Sequence, residues 1–246
     1  MITLWLTLTS GCAWFLSSLA GGGSALILIP AISFLLGTAA IPPTITTGMI
    51  FGNGQRVWLY WPSVNWSLTA WYLPGAISGA VLGAFVFSRT QIEWLSLLLA
   101  LFLISSALGY LLGQSVPFLQ PRAWYFLPLG GFYAFASGLI GSTGPMLQPF
   151  YLGYGLVKDE LLATKSLHVL VVHAVKLAAY AAFGVLPLPY LGYGVAIGCA
   201  ALPGNWLGQQ ALQYVSEHRF RQLVIVFIAL SGGLMLWQQR QFWAFW

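Results

Sequence analysis

The chain has 246 residues, of which 59% are hydrophobic and 5% charged, against about 25% charged in an ordinary soluble domain. A surface so poor in charge needs lipid as its main solvent. The net charge of +5 comes from nine Lys and Arg scattered singly rather than in runs, which argues against a nucleic-acid surface.

Long stretches carry no charge at all: 1–55, 66–88, 94–121, 123–157, 177–216 and 222–239, where one spanning helix needs about 20 apolar residues. Several helices are therefore expected to cross. The leading segment, Met1 to Leu19, has no basic start and no small-residue cleavage site and runs straight into a glycine cluster, so it reads as part of the mature protein. Cys12 and Cys199 belong to no CxxC and no set of metal ligands, and read as small buried hydrophobes.

Turn and interface residues divide the chain into eight hydrophobic blocks, at about 2–36, 45–61, 66–87, 92–113, 123–156, 160–184, 189–214 and 219–238. The first and fifth are too long for one simple span, and they resemble each other. Gly21-Gly22-Gly23-Ser24 and then Pro30 in the first match Gly141-Ser142-Thr143-Gly144-Pro145 and then Pro149 in the fifth, with a shift of 119. The match continues through Thr46 and Thr164, Asn53 and His173, Arg56 and Lys176, Tyr60 and Tyr180, Gly79 and Gly204, and Gly83 and Gly208, with shifts of 118 to 125.

An internal duplication follows: an all-α, polytopic transmembrane bundle of about eight helices, made of an N-terminal four-helix repeat over 1–113 and a C-terminal one over 123–238, together one membrane domain. The glycine clusters predict broken helices, since unwound backbone at membrane depth is tolerated only where it lines a cavity. Gly75, Gly79 and Gly83, at four-residue spacing, instead predict close helix packing. Charge counting leaves parallel and inverted repeats both open, but either arrangement puts the loop of Arg219 and Arg221 in the cytoplasm.

The sixth block holds Lys165, His168, His173 and Lys176 within about 140° of arc, one polar face on an otherwise apolar helix. The second block places Thr46, Asn53, Arg56 and Tyr60 within about 80°. A cation at the centre of a membrane helix costs roughly 2.5–3.5 kcal/mol and usually faces a bundle interior or a water cavity. Arg56 and Lys176 are thus expected to face a shared cavity. Blander roles stand beside this one: Lys165 snorkelling toward Lys158, Asp159 and Glu160, Arg56 snorkelling past Tyr60 and Trp61, Asn53 bridging helices, and each histidine packing.

All four acidic residues, Glu93, Asp159, Glu160 and Glu217, fall at block ends, and Asp159 suits an N-cap or first-turn role in the sixth helix. No carboxylate remains to coordinate sodium or a metal, and no cofactor is expected. An anion fits better, because broken-helix ends offer N–H groups and partial positive charge. The expected ligand set is Arg56, Lys176, Lys165, Asn53 and His173, with Ser24, Ser142 and Thr143 as hydroxyl donors and Gly22, Gly23, Gly141 and Gly144 as backbone donors. His168 and His173 titrate near physiological pH and are the candidates for proton coupling.

The sequence resembles the sulfite exporter TauE/SafE family of membrane proteins. The resemblance rests on Leu19-Ala20-Gly21-Gly22-Gly23 to Pro30, on Gly138-Leu139-Ile140-Gly141-Ser142-Thr143-Gly144 to Pro149, on Ala163-Thr164-Lys165 at the start of the sixth helix, and on Lys176. It covers nearly the whole chain, although the second copy reads Gly-Ser-Thr-Gly rather than a glycine triplet. It implies a multi-pass protein of a bacterial inner membrane that moves sulfite or other small sulfur-containing or organic anions, usually outward.

The reading is a secondary transporter, and not an enzyme, with a small anionic substrate and membrane lipid as partners, no nucleic acid, and a monomeric or homodimeric state. Two rivals come from other classes. One is an intramembrane serine hydrolase with Ser142 as nucleophile and His168 or His173 as base. The other is a scaffold whose buried polar groups only hold helices together. The aromatic end, 242–246, reads as an interfacial anchor.

Overall fold

The computed structural model describes residues 1–37, 40–89, 104, 121–143 and 146–238. Among the described residues every regular element is helical: α1 Ile2–Leu19, α2 Ala25–Leu36, α3 Ile41–Leu59, α4 Trp66–Phe87, α5 Phe126–Ile140, α6 Gln148–Tyr154, α7 Lys158–Ala182, α8 Leu188–Leu212 and α9 Glu217–Gln238. The predicted block at 92–113, Gly144 and the aromatic end lie outside the described residues.

Ile2–Leu19, Trp66–Phe87, Ala123–Ile140 and Lys158–Ala182 are each long and apolar enough to cross a membrane. The chain is a multi-pass membrane protein. Of the remaining helices, α3, α8 and α9 have 19, 25 and 22 residues, or about 28 Å and more at 1.5 Å per residue. Proline at the first turns of α3, α6 and α8 suits helix starts, where its missing N–H has no intrahelical partner to lose.

Both long blocks break. α1 stops at Leu19 and α2 starts at Ala25, with Gly22 at φ 122 between them. This backbone is open to glycine and strained for any other residue. α5 ends in the same way at Gly141, φ 91.

The packing is crosswise. α1 lies against α8, α4 against α5, and α3 and α7 touch each other at the centre while also contacting α8 and α4 respectively. A Cβ on Gly79 would run into the Gly131 carbonyl, and one on Gly204 into the Gly11 carbonyl. Small residues let these backbones meet, as the four-residue glycine spacing predicts.

One expectation is corrected. Cys12 and Cys199 are exposed rather than buried. They lie on the outer faces of α1 and α8, and α1 is among the helices apolar enough to cross a membrane. Asp159 takes the second of the two roles expected for it, a first-turn charge of α7, whose N-cap is Val157.

Candidate functional site

Lys165 and Arg56, both buried, meet at one cavity in the middle of the bundle. Lys165 sits on α7, and its ammonium donates a 3.0 Å hydrogen bond to the Gly21 carbonyl. The helix break thus folds directly over it: a Cβ on Gly22 would collide with Lys165 Nζ. The N-terminal turn of α2 lines the same cavity through Ser24 and Ala25, at the end where a helix leaves N–H groups unpaired and carries partial positive charge.

Arg56 comes from α3. Its Nε donates to Asn205 Oδ1 at 2.8 Å, and Nη2 donates to the Trp14 carbonyl at 3.1 Å and to Ser18 Oγ at 2.9 Å. The guanidinium also stacks 4.7 Å from the Trp14 ring. Nη1 makes no hydrogen bond among the described residues, which leaves donors for a ligand. Asn53 lies one turn earlier and spends its amide N–H on the Met49 carbonyl at 2.8 Å. Ser142, next to the second break, completes the polar lining together with Tyr133 and Ser166.

No carboxylate is among the residues that line this cavity. About 20 Å³ of it is open to the centres of water molecules, room for roughly one water. The cavity is small.

The structure brings together Arg56, Lys165, Asn53, Gly22, Gly23, Ser24 and Ser142 from the expected set. It does not place Lys176, His173, Thr143 or Gly141 on the cavity wall. The expected sharing of one cavity by Arg56 and Lys176 is therefore corrected, and the lysine beside Arg56 is Lys165. Lys176, fully buried, donates to Ser137 Oγ at 3.1 Å and to the Gly141 carbonyl. It ties the end of α5 to α7. Lys165 and Lys176 share nearly the same direction around α7 but lie eleven residues, about 16 Å, apart along it, so each meets a different break.

His168 is wedged between hydroxyls. Its Nδ1 lies 2.8 Å from the Tyr151 hydroxyl and its Nε2 3.0 Å from Thr69 Oγ1, with the ring stacked on Tyr72 at 3.9 Å. Hydroxyls can donate or accept, so this pair satisfies a neutral imidazole completely. Both ring nitrogens of His173 are buried with no partner among the described residues. Neither histidine is bonded to Ser142, so the pairing of nucleophile and base that a hydrolase needs is missing here.

Asn205, the principal partner of Arg56, was not anticipated from sequence. An asparagine beside Gly204 in an apolar stretch, with Gln209 one turn on, was the available signal. Ser18 and Trp14 carry no such mark, since their roles depend on which helix lies opposite.

Apolar helices enclosing a cavity with two cations and a helix break define a multi-pass membrane protein suited to handling anions. The family model for the sulfite exporter TauE/SafE matches residues 6–235. The chain belongs to that family of membrane transporters. No curated protein and no solved structure is similar enough to the chain to match it.

Proposed function

We propose that this chain is a secondary transporter of a bacterial inner membrane that exports a small anion, a sulfur-containing oxyanion or an organosulfonate, and that the anion binds between Lys165 and Arg56. The observation behind this reading is two buried cations, from α3 and α7, on one cavity whose lining includes no carboxylate. Each cation carries a burial cost of a few kcal/mol. An anion offsets both at once, and the α2 N-terminus adds to the attraction.

Because the cavity has room for roughly one water, binding requires Lys165 to leave the Gly21 carbonyl and the break to move with it. Lys176, Thr143 and Gly141 then act behind the site, holding the second break. Proton coupling, where present, belongs to His173, whose ring nitrogens have no partner, while His168 packs α7 against α4.

We also read the chain as two homologous units, 1–113 and 123–238. In support, Arg56 donates to Ser18 Oγ as Lys176 donates to Ser137 Oγ, each pair shifted by about the same interval as the glycine elements. The close approach of Gly204 to Gly11 is likewise answered by that of Gly79 to Gly131.

The test is thermal stability of detergent-purified protein against sulfite, thiosulfate, sulfate, sulfoacetate and simple carboxylates. A ligand at a hundred times its Kd stabilises the folded state by about 2.7 kcal/mol. One anion class is expected to raise Tm, and the rise should vanish in Lys165→Met. A well-folded protein that responds to none of these anions refutes the proposal.

A further inference from the structure

A second cavity lies at the end of the bundle where α7 begins. Tyr60, Lys158, Asp159, Gln209, Leu212 and Gln213 line it, and about 120 Å³ is open to the centres of water molecules. That is room for several waters or one small oxyanion. Asp159 and Gln213 are exposed, so this cavity reaches the protein surface, while Tyr60 is buried and its hydroxyl finds no partner among the described residues.

Its walls continue those of the inner cavity. Tyr60, the C-cap of α3, follows Arg56 by four residues, and Gln209 and Gln213, the latter the C-cap of α8, follow Asn205 by four and eight. Residues at this spacing share a helix face, so two polar rows run outward from the Arg56–Asn205 hydrogen bond at about 6 Å per step. Arg56 lines the inner cavity and Tyr60, four residues on, lines the outer one, and Arg56 Nε donates to Asn205 Oδ1.

Charge gives this end its side. Lys158 opens α7, and Arg219 and Arg221 lie in the first turns of α9, a few residues beyond Gln213. Clustered cations mark the cytoplasmic face. Lys158 and Asp159 offset one another, leaving hydrogen-bond donors from Tyr60, Gln209 and Gln213 to hold a ligand loosely, as a station that must pass its ligand on requires.

We propose that this cavity is the cytoplasmic loading station for the transported oxyanion, and that the Arg56–Asn205 pair is the gate between it and the inner site. The inference rests on the anion-transport reading above. When an anion reaches Arg56 from this side, it competes with Asn205 for the guanidinium and so opens the contact that had closed its path.

The experiment is uptake of radiolabelled sulfite into inside-out membrane vesicles at subsaturating concentration, run beside the sulfite-induced rise in Tm of the purified protein. Tyr60→Phe and Gln209→Leu are the variants, and Tyr60→Phe keeps the ring packing should Gln209→Leu fail to fold. Loss of one hydrogen-bond donor is expected to slow uptake about fivefold to tenfold while the Tm response persists. Unchanged uptake in folded Tyr60→Phe overturns the station. So does loss of the Tm response in that variant, because Tyr60 then acts on the inner site. If the wild type takes up and responds to none of the anions tested above, the transport reading falls first and this inference with it.

Discussion

Two lysines eleven residues apart on α7 make similar contacts and differ in what surrounds them. Lys165 and Lys176 each donate to the carbonyl of a break glycine, Gly21 and Gly141, but only Lys165 borders the cavity that holds Arg56. Their methionine variants should therefore separate. Lys165→Met is expected to abolish the anion-induced rise in Tm. Lys176→Met is expected to keep that rise and to lower the basal Tm, since the Gly141 carbonyl loses its donor at a cost of about 1–3 kcal/mol. Thermal scans with and without sulfite decide it, and an unchanged sulfite response in folded Lys165→Met would move the site elsewhere.

The histidines divide in a parallel way. Replacing His168 with Gln should lower Tm, because Tyr151 and Thr69 lose a ring whose two nitrogens bond both of them, while the pH profile of transport stays as in the wild type. His173→Gln should flatten that profile, since His173 is the buried imidazole whose two nitrogens have no partner among the described residues. A profile that survives His173→Gln assigns any proton coupling to another group.

At the scale of elements, the broken helices tie sequence to site most directly. Gly22 holds φ 122 with the Lys165 ammonium where a Cβ would sit, whereas a Cβ on Gly37, at φ 86, would meet open space. Alanine at either position is strained by roughly 1–3 kcal/mol. Only Gly22→Ala also pushes Lys165 aside, so it should lose the anion response that Gly37→Ala retains. Calorimetry or thermal scanning of the two variants checks this, and equal responses to sulfite would mean that the break does not position the lysine.

The breaks themselves were legible in sequence, because two glycine clusters in long apolar blocks have few other uses. The polar faces of α3 and α7 were legible too, since a cation in an apolar helix is conspicuous. Which cation faced which could not be read. Helical periodicity gives angles about one axis, but the meeting of Arg56 with Lys165 rather than Lys176 depends on how α3 and α7 are rotated and shifted against each other. Asn205 escaped for the same reason, as its value comes from α8 lying against α3. The cysteines misled because a rule learned from soluble interiors places apolar side chains inside, whereas here the outside is apolar as well.

For the whole molecule, that inversion of solvent makes the two native thiols a direct probe of how the bundle sits. Cys12 lies near the middle of α1 and Cys199 near the middle of α8, and both are exposed on the protein surface. With about 30 Å of hydrocarbon around a helix of this length, a residue near the middle of the span is roughly 12–15 Å from either interface. A charged thiol reagent cannot reach that depth. In sealed membranes neither cysteine should react with a charged methanethiosulfonate, from either side, while both should label once the protein is unfolded in detergent. Rapid labelling of Cys199 alone in intact membranes would show that α8 borders a water-filled path on its outer face. The transport route would then have to be redrawn along that face rather than through the Arg56–Asn205 contact.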